Sequence, residues 1–342
     1  MAGCSEPRAL ARWSVAVALV MAAIANSAAA QAGVGLQARV DNDGFDFWKR
    51  PARRPDGEYT HGTRLALELG RAPLWHRLTP RSPPCADVDD RVPRCSSLLA
   101  AIGQHIFTPA EDSQPYTYDG WRRQRPYAGW LYGDLTVRSV RRSMAREVGL
   151  TLGVTGPPSM ADETQREAHE RMGKYGKVPI GWETQLRFEP GVILHARQRW
   201  MLFSGRVRGV RLWDAVVGAG ASVGNITTNA EATGDFRIGV NLSHPWRRAR
   251  HRGPAELVGT IGVRGQVVGR NIFLDGNTVQ PDRRVDRVPA VGDLRGSIGV
   301  RVGALVLAYA VTQRSQEYLT GPKSHTYASL VVGIGGTPDP TP

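Results

Sequence analysis

Beyond Gln31 the chain has no run of about 18 or more apolar residues, which excludes a helical membrane span from that part of it. Cysteine is scarce. Cys4, Cys85 and Cys95 are the full set, too few for a disulfide-dense scaffold and without the spacing of a zinc site. Lysine is nearly missing: Lys49, Lys174, Lys177 and Lys323 are outnumbered by arginine throughout. Acidic residues are in deficit, 31 against 44 basic ones, for a formal net charge of +13. There is no H-E-x-x-H pair and no Walker loop, which weighs against the zinc-protease and nucleotide-binding classes.

The one long apolar stretch, Trp13 to Ile24, follows Arg8 and Arg12 and precedes Ala28-Ala29-Ala30. A positive region, a short apolar core and a small-residue site are the marks of a secretory signal over 1–30, with the mature protein starting near Gln31. Cys4 precedes the apolar core and leaves with the signal. The two remaining cysteines lie close together in an exported chain, so a Cys85–Cys95 disulfide closing a short loop is expected. Nucleic acid is not an expected partner outside the cell. A phosphorylated lipid surface suits the arginine surplus better, because guanidinium forks match phosphate. A GC-rich genome would raise arginine equally well.

The rest of the chain alternates. In Leu257 to Arg270 the odd positions Leu257, Ile261, Val263 and Val267 are apolar, while Thr260, Arg264, Gln266 and Arg270 share the other face. Tyr59 to Gly70 repeats this, with Leu65, Leu67 and Leu69 against Thr60, Arg64 and Glu68. Strands are expected at 34–42, 59–70, 99–108, 126–139, 144–155, 182–196, 210–224, 229–243, 256–271, 287–301, 304–318 and 323–335. About twelve long strands joined in sequence predict an all-β, antiparallel up-and-down transmembrane β-barrel over 31–336. A Pro-rich loop at 71–98 holds both cysteines. A helix is expected from Met160 to Gly173, with Ser159 as N-cap and Asp162 three residues on. The tail 337–342 is expected to be disordered.

Three constellations could carry chemistry. Gln165 and His169 are four residues apart and share a helix face, although Glu163, Arg166, Glu167 and Glu170 make the segment strongly charged. Asp41-Asn42-Asp43-Gly44 groups oxygen donors that suit a hard cation, and the same residues favour any turn. Glu58-Tyr59-Thr60-His61-Gly62 opens the second strand, where antiparallel pairing would bring Thr60 close to Asn42 and Asp43.

Seven segments in order resemble the lipid A 3′-O-deacylase (LpxR-type) family of outer-membrane proteins. They are Asn42-Asp43-Gly44-Phe45; Tyr59-Thr60-His61-Gly62; Gly103-Gln104-His105-Ile106-Phe107-Thr108-Pro109; Arg125-Pro126-Tyr127-Ala128-Gly129-Trp130; Gly153-Val154-Thr155-Gly156-Pro157; Gln165 with His169; and Gly181-Trp182-Glu183-Thr184-Gln185 with Glu189-Pro190-Gly191. The match is close over roughly 34–245. The resemblance implies a twelve-stranded barrel with its site beside a helix in an extracellular loop. It implies His169 as general base, Gln165 in positioning, and Asn42, Asp43 and Thr60 on the calcium-binding, oxyanion-stabilising side. The implied cofactor is Ca2+, and the implied partner is lipid A or lipopolysaccharide of the outer leaflet, with no obligate protein partner. Tyr175 stands where an acidic residue is usual, and Arg122, Arg123 and Arg125 are the candidates for phosphate contacts. A catalytically silent barrel with a structural or adhesion role, and an outer-membrane phospholipase, are the rival readings.

Overall fold

The computed structural model describes residues 34–45, 57–69, 85, 94–109, 123–172, 181–247, 255–279 and 283–335. The expected signal over 1–30, the tail 337–342 and Tyr175 lie outside them. Twelve strands run in sequence order: β1 (Val34–Asn42), β2 (Glu58–Leu69), β3 (Arg94–Thr108), β4 (Ala128–Arg141), β5 (Met144–Thr155), β6 (Glu189–Val207), β7 (Val210–Gly224), β8 (Thr227–Val240), β9 (Glu256–Asn271), β10 (Ala290–Val302), β11 (Leu305–Ser315) and β12 (Ser324–Ile334). Each pairs antiparallel with its sequence neighbours, and β1 pairs with β12 to close the barrel. Closure satisfies every strand edge internally, the condition for crossing hydrocarbon with sheet.

The period-2 pattern becomes an outside and an inside. Leu65, Ile102, Leu135, Val148, Leu194, Ile261, Val263, Val267 and Ile298 are exposed on the outer wall, where lipid replaces water. The opposite faces carry a lattice of ion pairs. Glu147 accepts from Arg138 at 2.7 Å and Arg199 at 2.9 Å, and Asp293 from Arg264 and Arg314. Arg197 pairs with Glu231, Arg295 with Asp235, and Arg237 with Asp214. Much of the arginine surplus therefore lines the lumen, where each guanidinium finds a carboxylate, rather than a phosphate-binding surface.

Three of the connections at one end are two-residue turns, at 142–143, 208–209 and 303–304, and both termini of the barrel lie there. Short turns mark the periplasmic end of outer-membrane barrels. Cys85 and Cys95 are bonded at this end, packed with Val140, Ala145, Val216 and Trp246.

Several local expectations are corrected. Residues 182–188 are not the start of β6. Gly181 takes a positive φ of 116° and opens a 3-10 turn at Trp182–Thr184, and the strand starts at Glu189 but runs on to Val207. The helix, α1, spans Ala161–Met172. Ser159 is not its cap: its hydroxyl donates to the Gly156 carbonyl, and the first helical bond runs from Thr164 to Met160. A second, four-residue helix, α2 (Ile272–Asp275), was not expected. It is capped by Asn271, whose side chain accepts from the Phe273 amide.

Candidate active site

The helix α1 lies against the outer wall of the barrel, beside β3 and β4. Its buried positions are Ala161, Gln165 and His169, a stripe at i, i+4 and i+8, while Glu163, Arg166, Glu167 and Glu170 face outward. Gln165 and His169 thus share the buried face, and the charged residues form the solvated one. The seat is built by residues from the motif segments. Gly129 faces the helix, and a Cβ there would collide with the side chains of Ser159 and Ala161. Gln104, on the same outward face of β3, donates to the Ser159 carbonyl at 2.7 Å and to Thr164 at 3.2 Å. Ile106, Tyr127, Ala161 and Trp182 pack together beneath the helix. The Trp182 indole donates to Gln165 Oε1 at 2.8 Å and fixes that amide.

The second group of residues meets two strands away. The register pairs Asn42 with His61, and Asn42 Nδ2 donates to the Thr60 carbonyl at 3.0 Å. Between Tyr59 and His61 the β2–β3 ladder slips, leaving Thr60 as the extra residue of a bulge, a device that re-aims a side chain. The Thr60 hydroxyl lies 2.6 Å from that of Thr108, on the outward side of β3. Asp43 opens a 3-10 turn, is buried, and accepts the Gly57 amide at 2.8 Å. Thus Asn42, Asp43 and Thr60 come together at the extracellular end of β1 and β2.

Asp41 does not join them. Alternation turns it into the lumen, where Arg39 and the Tyr59 hydroxyl bind it at 2.7 and 2.9 Å. The four-residue oxygen cage read from 41–44 is therefore split across the barrel wall. His61 faces outward and lies 2.8 Å from the Thr63 hydroxyl.

Arg125 is also not a phosphate contact. It is fully buried, its guanidinium 4.6 Å over the Phe107 ring, and Nη1 donates to Glu58 at 3.1 Å and Glu317 at 3.3 Å. The Tyr318 hydroxyl donates to the second Glu58 oxygen at 2.7 Å. This clamp ties two extracellular connections, β3–β4 and β11–β12, to the residue two before Thr60. Burial alone would raise the Glu317 carboxyl, but Arg314 and Arg125 outweigh it and hold it below the usual glutamate value. Burial and the neighbouring Glu58 push the Tyr318 hydroxyl up, so it stays a donor. Sequence reading missed the roles of Gln104, Thr108, Glu58, Arg125 and Trp182. All but Glu58 lie inside the recognised segments, and Glu58 directly precedes one.

A closed twelve-stranded antiparallel barrel with an apolar outer band and an ion-paired lumen defines an outer-membrane β-barrel. The model of the family described as outer membrane protein LpxR matches residues 13–335. The chain belongs to the LpxR family and is an outer-membrane protein. Among solved structures, LpxR from Salmonella typhimurium superposes with a TM-score of 0.69 at 19% identity, covering 88% of this chain and 99% of that one. The β-domain of the Bordetella autotransporter BrkA gives a TM-score of 0.41 at 11% identity, covering 88% and 98%. No curated protein sequence matches the chain.

Proposed function

We propose that the chain is a lipid A deacylase that hydrolyses the ester-linked 3′ acyl chain in the outer leaflet. The observation that carries this reading is the seat of Gln165 and His169. They are buried between α1 and the outward wall of β3 and β4, so the cluster adjoins lipid rather than the lumen. A lipid A molecule can enter such a site sideways, without leaving the membrane.

Histidine is the side chain that changes protonation near neutral pH. A ring nitrogen of His169 takes a proton from water as that water attacks the ester carbonyl. The tetrahedral oxyanion then collapses, and the proton passes to the departing 3′ oxygen. The products are a fatty acid and a 3′ hydroxyl, and no serine nucleophile is needed. Gln165, held by Trp182, orients the ester against His169.

Asn42, Asp43 and Thr60 offer an amide oxygen, a carboxylate and a hydroxyl with a carbonyl. This all-oxygen set fits calcium, and a single carboxylate suits a weak site, with Kd of about 10⁻⁴–10⁻³ M. Among the described residues no three His, Cys, Asp or Glu side chains gather to hold a metal, which leaves neutral oxygens as the other donors. Bound there, calcium would supply positive charge for the oxyanion.

The test is mass spectrometry of lipid A from Gram-negative cells expressing the chain. Wild type should remove one acyl chain and leave phospholipids intact, and His169→Ala should leave lipid A unaltered. Cleaved phospholipid would favour a phospholipase. Unaltered lipid A with folded barrel in the membrane would favour a silent barrel.

A further inference from the structure

At the periplasmic end, the β3–β4 register sets Arg94 directly opposite Arg141. The row continues on β5, where Arg146 lies two residues past Met144, the partner of Arg141. All three are exposed, as is Arg142 in the adjoining turn. Alternation puts Arg94 on the face of Leu98 and Ile102, Arg141 on that of Leu135, and Arg146 on that of Val148, which is 50% exposed. The arginines therefore end the apolar outer band. Like charges directly opposite each other on antiparallel strands are destabilising, and among the described residues no acid pairs with Arg94 or Arg141.

Two further features mark this row. Arg146 donates to Gln198 Oε1 from Nε at 3.0 Å and from Nη2 at 2.8 Å, which holds its guanidinium over β6. Trp200, one outward step from Gln198, pairs with Met144 and supplies the aromatic residue typical of a membrane interface. Two neighbouring connections at this end are basic as well. Arg206 and Arg208 are exposed, and the connection 241–255 contains Arg247, Arg248, Arg250 and Arg252 with no acid.

The depth is right for headgroups. β4 runs from Ala128, beside the α1 seat, to Arg141. Its thirteen steps, at about 3.3 Å each and a tilt of about 40°, cover roughly 33 Å along the axis, against an apolar band of about 25 Å. With the α1 site at the outer interface, the arginine row falls at the inner one.

We propose that Arg94, Arg141 and Arg146 bind the phosphodiester of an anionic glycerophospholipid in the inner leaflet of the outer membrane. The phosphate lies between the opposed guanidiniums and relieves their repulsion, the acyl chains lie along Leu98, Leu135 and Val148, and Trp200 sits beside the headgroup. Lysine would keep the attraction as a point charge, and glutamine would lose it.

The experiment reconstitutes the full mature chain in phosphatidylcholine vesicles containing brominated phosphatidylglycerol or brominated phosphatidylcholine. Trp200 fluorescence is isolated as the difference between wild type and Trp200→Phe. Brominated phosphatidylglycerol should quench it at a lower mole fraction than brominated phosphatidylcholine. In Arg94→Gln/Arg141→Gln that preference should fall about fivefold for each arginine removed, whereas Arg94→Lys/Arg141→Lys should keep most of it. Heat-modifiable migration in gels verifies the fold of each variant. Equal quenching of wild type by the two lipids would overturn the proposal and assign the arginines to acids within the chain, such as Asp87, Asp89 or Asp90. An unchanged preference in the glutamine variant would overturn it equally.

Discussion

The indole nitrogen of Trp182 donates to the amide oxygen of Gln165 at 2.8 Å, with both side chains buried. One hydrogen bond thus joins the 3-10 turn before β6 to the helix that carries His169. The same indole is a ring neighbour of Tyr127, at 5.1 Å between centroids. Trp182→Phe keeps the ring contact and deletes the donor. A buried amide left unsatisfied costs about 1–3 kcal/mol, and the cost falls on the seating of α1. Deacylation should drop about tenfold while the barrel's thermal unfolding stays unchanged. A variant with full activity would show that Gln165 needs no such restraint.

Gly129 makes a sharper test of the same seat. A side chain there meets Ser159 and Ala161. The position is on the outer wall, so the ladder of β3 and β4 does not need a glycine. Gly129→Val should lift α1 and abolish activity, yet leave a barrel that migrates as folded. Hydrogen exchange should rise in 161–172 and stay low in β3 and β4.

These residues also show what the sequence could and could not reveal. β1, β5, β7 and β9 have the bounds that alternation assigns, because each has a greasy outward face and ends at a turn. The start of β6 misled the pattern: Trp182, Leu186 and Phe188 alternate like a strand, but Trp182 and Leu186 are buried around a turn set by Gly181. α2 carries no helical periodicity in the sequence, since Ile272, Phe273 and Leu274 are consecutive apolar residues, and only tertiary packing folds them inward. Arg125 looks like a surface cation beside other arginines, since no local signal announces Glu58 and Glu317, far away in the chain. Asp41 and Asn42 are adjacent in sequence and fall on opposite sides of the wall by strand geometry alone.

The Arg125 clamp should respond to acid. The Glu317 carboxyl is held below its ordinary value, so its contribution is present above the unfolded glutamate pKa and is lost as pH falls through the lower folded value. Once the pH falls below that depressed value, Arg125 loses the charge of Glu317. Hydrogen exchange at 57–60 and 123–127 should then rise reversibly, with the barrel still folded. Glu317→Gln should show that faster exchange already at neutral pH.

The disulfide sits at the far end from the candidate site. Cys85 and Cys95 are ten residues apart and pack with Trp246 at the periplasmic end. Closing so short a loop restrains the unfolded chain by at most about 3 kcal/mol, and the strand ladder does not depend on it. Cys85→Ser/Cys95→Ser should unfold at a lower temperature with unaltered deacylation. Loss of activity in a folded double variant would reveal coupling between the two ends.

Asp43 and His169 should fail in different ways. Asp43 supplies the one carboxylate among the proposed calcium donors, and its Oδ2 also holds the Gly57 amide. Asp43→Asn keeps a hydrogen-bond acceptor for that amide and removes the charge. It should shift the calcium dependence to higher concentration by at least tenfold while approaching wild-type turnover at saturation. His169→Ala removes the general base, which is typically worth about 10²–10⁴-fold, and calcium at any concentration should not restore it. Chelation should stop the wild type reversibly without unfolding it, because the backbone hydrogen bonds that close the barrel need no metal. The assay is deacylation of lipid A in detergent across a calcium titration for wild type and both variants. Full wild-type activity in excess chelator would remove calcium from the site, and near-normal turnover by His169→Ala would move the base to another residue.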